Sequence, residues 1–285
     1  MAWSWWRPEK AGFGIRMELE GAPDGAQARC VLSSRIPSPE SESPALDRLR
    51  STWTALGEDD PLWAILSDPA KRGGRWDEDA FFAAGEQEIV SVDQRCAALG
   101  VPRERRLALD FGCGVGRLSR ALATRYGEVI GVDIAPSMLQ QARRLNAHIS
   151  NLHFVENAAT RFDFLGDASV DLIYSVITLH HMPVPVQLAY VDEFLRVLAP
   201  GGLALFQVAA GYSRDWRGLI YRYLPNRLLA PLRRRLHSSR VAAELHVVSE
   251  ADIAARVASA GRRIVAAADV SSAGAGFRGR MLAVA

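Results

Sequence analysis

The stretch that most constrains this chain is LALDFGCGVGRLSRAL, Leu107 to Leu122. The apolar run in LALDF, with no turn residue in it, predicts a short buried strand, and Arg117 to Tyr126 carries apolar residues at helical spacing. Between strand and helix stand Gly112, Gly114 and Gly116. Glycine at every second position lets the backbone turn through conformations closed to other residues and leaves no Cβ between the main chain and a ligand. A strand, a tight turn and a helix in this order predict a ligand lying flat against the turn.

Spacing narrows the ligand. A dinucleotide fingerprint, G-x-G-x-x-G/A, needs a third small residue where this chain has Arg117, and it opens onto a pyrophosphate at the helix N-terminus. Here the pattern is Asp110-x-Gly112-x-Gly114-x-Gly116. A carboxylate at Asp110 would repel a pyrophosphate and suits an ammonium group. VIGVD, from Val129, predicts a second strand ending at Asp133, and an acid at that place binds ribose hydroxyls. An amino group together with a ribose points to S-adenosyl-L-methionine.

Four segments resemble the class I S-adenosylmethionine-dependent methyltransferases, in the ubiquinone-biosynthesis-like branch that acts on small molecules. They are LDFGCGVGRLSRAL, VIGVDIAPSMLQQAR, SVDLIYSVITLHHM from Ser169 and FLRVLAPGGLALFQV from Phe194. The resemblance covers about Leu107 to Val208. It implies an α/β, Rossmann-like fold: a seven-stranded, mostly parallel sheet with an N-terminal helical lid and a helical insertion after the fifth strand, its last strand antiparallel. In the cofactor site it implies Asp110, Gly112, Cys113, Gly114 and Gly116 at the glycine turn, and Asp133, Ile134 and Met138 after the second strand. Asn157, Ala158 and Ser175 complete that set. Members usually carry an acid where this chain has Asn157, an amide that can still meet the adenine edge.

Composition sets the remaining bounds. Basic residues number 34 against 32 acidic, a net charge of +2, so no global field recruits nucleic acid. Cys30, Cys96 and Cys113 form neither a C-x-x-C pair nor a disulfide framework, which fits a reducing cytoplasm and predicts no metal site. No apolar run approaches the roughly 18 residues that span a bilayer, so no membrane partner is expected. MAWSWWRPEK lacks the apolar core of a signal peptide.

Residues 1–43 read as an extension in which IRMELE and ARCVLSS alternate around a GAPDG turn, a candidate β-hairpin, followed by the polar linker PSPESESP. Trp3, Trp5 and Trp6 in this extension could anchor a partner or simply cover apolar surface. Residues 44–105 read as a helical lid. Within it Phe82, Ile89, Val92, Cys96 and Leu99 recur at helical spacing, and Trp53, Trp63, Trp76, Phe81 and Phe82 are candidates to line or roof the site or to pack beneath it. Residues 106–285 form the cofactor-binding domain. Its last helix is predicted to end at Gly261, and the helix Gln187 to Leu198 to stop at Pro200-Gly201-Gly202. An insertion at 212–245 carries eight arginines between Tyr212 and Arg240, Arg214, Arg217, Arg222 and Arg227 among them, against the single acid Asp215. These guanidinium groups suit a carboxylate or phosphate, or else form a solvated face.

The expected function is methyl transfer to oxygen or nitrogen of a small molecule, acidic or aromatic, in a monomer or homodimer. Secondary metabolism is the expected setting. His180 and His181, just beyond the fourth strand, are the candidate bases that take the acceptor's proton. The competing reading is that one caps the next helix and the other packs. Substrate contacts are expected from Tyr212, Arg214, Trp76 and Phe82. Base-methylating enzymes carry an Asn/Asp-Pro-Pro-aromatic turn where this chain reads YSVITLHHMP, which argues against nucleic acid. The alternatives are a cyclase or lyase that consumes the same cofactor and releases methylthioadenosine, and a cofactor-binding protein without chemistry.

Overall fold

The computed structural model describes residues 16–18, 29–31, 43–224, 244–270 and 276–285. Strand β1 (Arg16–Glu18) pairs antiparallel with β2 (Arg29–Val31), Arg16 opposite Val31. Trp3, Trp5, Trp6, the linker up to residue 42, and Arg227, Arg233, Arg234, Arg235 and Arg240 lie outside the described residues.

Three helices precede the main sheet. Helix α1 (Pro44–Asp59) starts at Ser43, whose Oγ accepts from the Leu46 amide, and α2 (Pro61–Ile65) starts at Asp60, whose carboxylate also gathers the amides of Gly73 and Gly74. Side-chain caps of this kind satisfy amides that a helix leaves unpaired. Helix α3 (Glu78–Leu99) is capped by Asp77 and ends on left-handed Gly100. Its buried face carries Phe82, Ile89, Val92 and Cys96 of the predicted stripe together with Phe81, while Leu99 at the helix end is half-buried.

The sheet begins with β3 (Leu107–Phe111), buried along its whole length. Burial on both faces belongs to a central parallel strand, even where, as at Asp110, one buried residue is polar. Helix α4 (Arg117–Ala123) leads to β4 (Glu128–Asp133), α5 (Pro136–Leu145) to β5 (Leu152–Glu156), and β6 (Val170–Ser175) follows. After a 3-10 turn at Leu179–His181 come α6 (Val184–Val197), β7 (Leu198–Tyr212), α7 (Trp216–Tyr223), α8 (Glu250–Ser259), β8 (Ile264–Val270) and β9 (Phe277–Val284). Strand order is β5-β4-β3-β6-β7-β9-β8, parallel through β7, with β9 antiparallel to both neighbours. The order reverses at β3, which pairs with β4 on one side and β6 on the other. Ligands in open α/β sheets bind outside the carboxyl ends of strands at such a reversal.

Alternate strand residues feed two cores. Leu109, Phe111, Ile130 and Ile173 pack with Phe194 of α6 and Ile253 of α8, whereas Ala108, Val129 and Leu172 pack with Ile89 of α3 and Leu122 of α4. Two boundaries differ from expectation. Helix α6 starts at Val184 rather than Gln187, because a proline, Pro185, sits in its first turn, where the missing amide costs no hydrogen bond. Pro200-Gly201-Gly202 does not separate helix from strand. It lies inside β7, where the register against β6 shifts between Val170 and Leu172, so these residues form a bulge.

Candidate functional site

At the carboxyl ends of β3, β4 and β6 lies a cleft with about 910 Å³ of free space, including the space open to solvent at its mouth. Its floor is the glycine turn. The amides of Gly112 and Cys113 both donate to the carbonyl of Val132 at 2.7 and 3.0 Å, tying the turn to β4. Gly112 has φ +78°, and a Cβ there would stand 2.2 Å from Thr178 Oγ1. Gly114 has φ +54° and would put a Cβ 2.5 Å from Ile65 Cδ1. Both backbone conformations disfavour a side chain, and at Gly112 the space also refuses one, whereas at Gly114 the Cβ would meet only the flexible end of Ile65. Gly116 follows as the left-handed residue before α4, behind the cleft wall.

Asp133 joins the turn to the next helix. Its Oδ2 accepts from the Gly114 amide at 2.8 Å and its Oδ1 from the Ala135 amide at 2.9 Å. Burial, the largest influence, holds this carboxyl above its usual range despite those amides. Each oxygen keeps a lone pair, so the carboxylate can still accept a diol from the cleft. Ile134, Met138 and Asn157 line the cleft beside it, and Asn157 Nδ2 donates to the Ala159 carbonyl at 2.6 Å.

Asp110 sits elsewhere than its motif suggests. Along β3 the residues at 107, 109 and 111 face one core, so Asp110 points to the opposite face, where Ser119 Oγ donates to its Oδ2 at 2.5 Å. Burial pushes its carboxyl up to about 7. It lies behind the turn and is not part of the cleft wall, so the expected direct contact with an ammonium group is not built by this geometry. Cys113 does line the cleft, and burial raises its thiol well above the usual range, which keeps it protonated and poorly nucleophilic.

The loop after β6 forms the far wall with Val176, Ile177, Thr178, His181 and Met182. Ile177 has φ +55°, a left-handed conformation that costs a β-branched residue on the order of 1–3 kcal/mol. Its amide donates to Gln207 Oε1 at 3.2 Å, which helps to hold it there. Strain of this size at a cleft wall is a mark of a functional loop. His181 Nδ1 lies 3.1 Å from the Glu244 carbonyl oxygen, and the Trp53 ring meets the imidazole edge-on at 5.1 Å. Burial pushes the His181 imidazole down to about 4. His180 is fully buried with its Nδ1 unpartnered among the described residues, is held well below the usual histidine range by burial, and does not line the cleft.

Leu49 and Trp53 of α1 and Ala64 and Ile65 of α2 close the cleft from above, so these helices lie over the glycine turn. Sequence reasoning missed Arg117. From the first turn of α4 it lines the cleft with its Nη2 2.7 Å from Glu88 Oε2, while Glu88 Oε1 accepts from Tyr174, and its buried Nε has no partner among the described residues. The chance of finding it lay in its position directly after the last glycine.

Other expected site residues stand outside the wall. Trp76 and Phe82 pack with Phe81 in a cluster outside the cleft lining, and the Arg120 guanidinium stacks over Phe82 at 3.3 Å. Ser175 and Ala158 are buried behind the lining. Tyr212 ends β7 with its ring on Phe277, and Arg214 is exposed. Their distance from the cleft follows from β7, which continues past its last β6 pair, Ser175 with Phe206, and carries the chain away.

A seven-stranded sheet with this order, a glycine turn at the reversal and an acid after the second strand of the sheet define the class I methyltransferase fold. Residues 108–202 match the family described as Methyltransferase domain. It is 37% identical over 110 residues to 2-methyl-6-phytyl-1,4-hydroquinone methyltransferase of Synechocystis sp., covering 38% of this chain and 33% of that protein. It is 35% identical over 138 residues to malonyl-[acyl-carrier protein] O-methyltransferase of Serratia marcescens, covering 46% and 51%. The matched segments thus span a third to a half of these relatives. Among solved structures, magnesium protoporphyrin IX methyltransferase from Synechocystis PCC 6803 with bound SAH superposes with a TM-score of 0.55 at 20% identity, over 84% of this chain and 98% of that one, a likeness of fold.

Proposed function

We propose that this protein is an S-adenosylmethionine-dependent methyltransferase acting on oxygen or nitrogen of a neutral, apolar or aromatic small molecule. The observation that carries the reading is the single cleft whose walls hold the glycine turn, the Asp133 carboxylate and the His181 imidazole. The donor set fits the cofactor. Asp133 would take the ribose hydroxyls, Met138 and Ile134 would flank the adenine, and Asn157 Oδ1, with its amide committed to Ala159, is left to accept from the adenine amine. Arg117 Nε, buried and without a partner among the described residues, suits the carboxylate of the methionyl end.

When bound, S-adenosylmethionine supplies a sulfonium methyl that is already electrophilic. The protein's part is then to hold an acceptor in line and dry, worth on the order of 7–11 kcal/mol of barrier when positioning is complete. Trp53, Ile65, Ile177 and Met182 exclude water. A carbonyl only accepts, so the His181 proton resides on Nδ1 toward Glu244 and Nε2 carries the lone pair that can take the acceptor's proton. The relatives' names span a hydroquinone and a malonyl-[acyl-carrier protein], so the acceptor class is read from the walls. Among the described residues the only cationic side chain lining the cleft is Arg117, already engaged by Glu88, which favours an aromatic over an acidic acceptor. Buried free thiols at Cys96 and Cys113 fit a cytoplasmic setting.

The test is calorimetry with S-adenosylmethionine followed by product analysis over a panel of phenols, amines and acids. The reading expects binding and S-adenosylhomocysteine as product with neutral aromatic acceptors. Methylthioadenosine as product would move the protein to the cyclase or lyase class, and tight binding of a dinucleotide without S-adenosylmethionine would overturn the reading.

A further inference from the structure

Among the described residues, seven large apolar side chains are exposed, and five of them fall between Tyr212 and Leu224: Tyr212, Trp216, Leu219, Tyr223 and Leu224. Helix α7 arranges three of these. At about 100° per residue, Trp216, Leu219, Ile220 and Tyr223 occupy one arc of roughly 100°, while Arg217 and Arg222 stand about 60° beyond its two edges. Trp216, Leu219 and Tyr223 are 65%, 52% and 71% exposed. The guanidinium of Arg217 lies 5.2 Å from the Trp216 ring and that of Arg222 lies 5.6 Å from the Tyr223 ring, so each cation borders an aromatic of the stripe. The opposite side of the helix faces the protein, with Gly218 buried and the Tyr221 ring 4.9 Å from Phe277.

We infer that α7 is a docking face for an anionic lipid surface, its apolar stripe entering the boundary between headgroups and acyl chains while its arginines meet phosphates. An apolar stripe with cations on both flanks is the pattern of a helix lying in the plane of a membrane interface. Charge selects this occupant over two others. Residues 225–243 hold five further arginines and no acid, and a second copy of this chain would present the same arginines, so each would set cation against cation. The one acid at the helix, Asp215, is committed to the Gly218 amide and Ser213 Oγ. The absence of a membrane-crossing helix among the described residues does not bear on this face, which needs no spanning length. Helix α7 follows the carboxyl end of β7, which runs parallel to β6, so the docked surface lies toward the same edge of the sheet as the cleft.

The test is co-sedimentation of the full chain with vesicles of phosphatidylcholine alone or containing phosphatidylglycerol, at low and high salt. Binding to the anionic vesicles is expected, weakened by salt. Trp216→Ser/Leu219→Ser/Tyr223→Ser should abolish it, and Arg217→Glu/Arg222→Glu should weaken it by about tenfold or more. Both variants change exposed side chains, so unchanged thermal melting is the control for folding. No binding to anionic vesicles, or binding that both variants leave intact, overturns the inference. So does concentration-dependent self-association, or capture of an acidic protein, that these variants remove while vesicles are ignored. None of these readouts uses methyl transfer, so the inference stands or falls apart from the proposed activity.

Discussion

The Nδ1 of His181 lies 3.1 Å from the carbonyl oxygen of Glu244, across 63 residues of sequence. That contact fixes the tautomer, because only a protonated Nδ1 satisfies a carbonyl, and it leaves Nε2 as the acceptor. With its imidazole pushed down to about 4 by burial, His181 stays neutral through the physiological range. His181→Gln should therefore lower kcat by about 10²–10⁴-fold with little change in S-adenosylmethionine affinity. The wild-type rate should be flat from about pH 6 to pH 8, with its acid limb near 4. Equal losses in turnover and cofactor affinity, or an acid limb at an ordinary histidine pKa, would exclude the base role.

The Asp133 carboxylate holds the Gly114 and Ala135 amides at 2.8 and 2.9 Å while facing the cleft. Asp133→Asn keeps the shape but turns one acceptor into a donor aimed at an amide. Hydrogen bonds to a charged group contribute about 1.5–3 kcal/mol each, so cofactor affinity should fall roughly 10- to 150-fold, with a lower melting temperature. Calorimetry decides this, and a variant that raises only the acceptor KM would show that Asp133 does not face the cofactor.

How far the site could be read in advance depended on whether a residue's role is local. The glycine turn and Asp133 were legible through spacing within one βαβ unit, whereas the seven-stranded sheet was expected from the family resemblance of the motifs. Trp53 and Trp76 carry the same signature, an aromatic on a lid segment, yet only Trp53 reaches the cleft, because Trp76 packs on Phe81 and spends its Nε1 on the Leu66 carbonyl. That difference is set by tertiary packing. Asp110 was legible as a motif residue, but its direction came from the alternation along β3, which puts Phe111 rather than Asp110 on the cleft side. Ile177 gave no signal, since a β-branched residue is among the last expected at positive φ.

The two glycines that touch the lid and the far wall should respond differently to the same change. In Gly112→Ala the new Cβ meets Thr178 at 2.2 Å from φ +78°, in a strained loop that has little room to yield. A loss on the order of 1–3 kcal/mol of stability is expected, together with loss of cofactor binding. In Gly114→Ala the Cβ meets the flexible tip of Ile65 on α2, which can swing away. That variant should lose less stability and should open the lid, seen as faster amide exchange in residues 61–66. Equal melting temperatures for the two variants would refute the distinction.

Asp110 should leave its mark on the pH dependence of folding. Burial raises its folded pKa from 3.8 to about 7, against the opposing pull of the Ser119 hydroxyl and Arg117. A group whose folded pKa is raised binds its proton more tightly when folded, so its contribution is complete below about pH 4 and is lost as pH rises through 7. His181 slopes the other way: its folded pKa of about 4 lies below the ordinary histidine value of 6.5, so its contribution is complete above 6.5 and is lost as pH falls. The two oppose each other between about pH 4 and 6.5, and of this pair only Asp110 still titrates above that window. Asp110→Asn, which keeps an oxygen to accept from Ser119, removes one slope and leaves the other. Its melting temperature relative to wild type should therefore climb from about pH 5 to about pH 7 and level off above that, read by scanning calorimetry at matched ionic strength. A constant offset across that range would mean that the buried carboxyl does not titrate there.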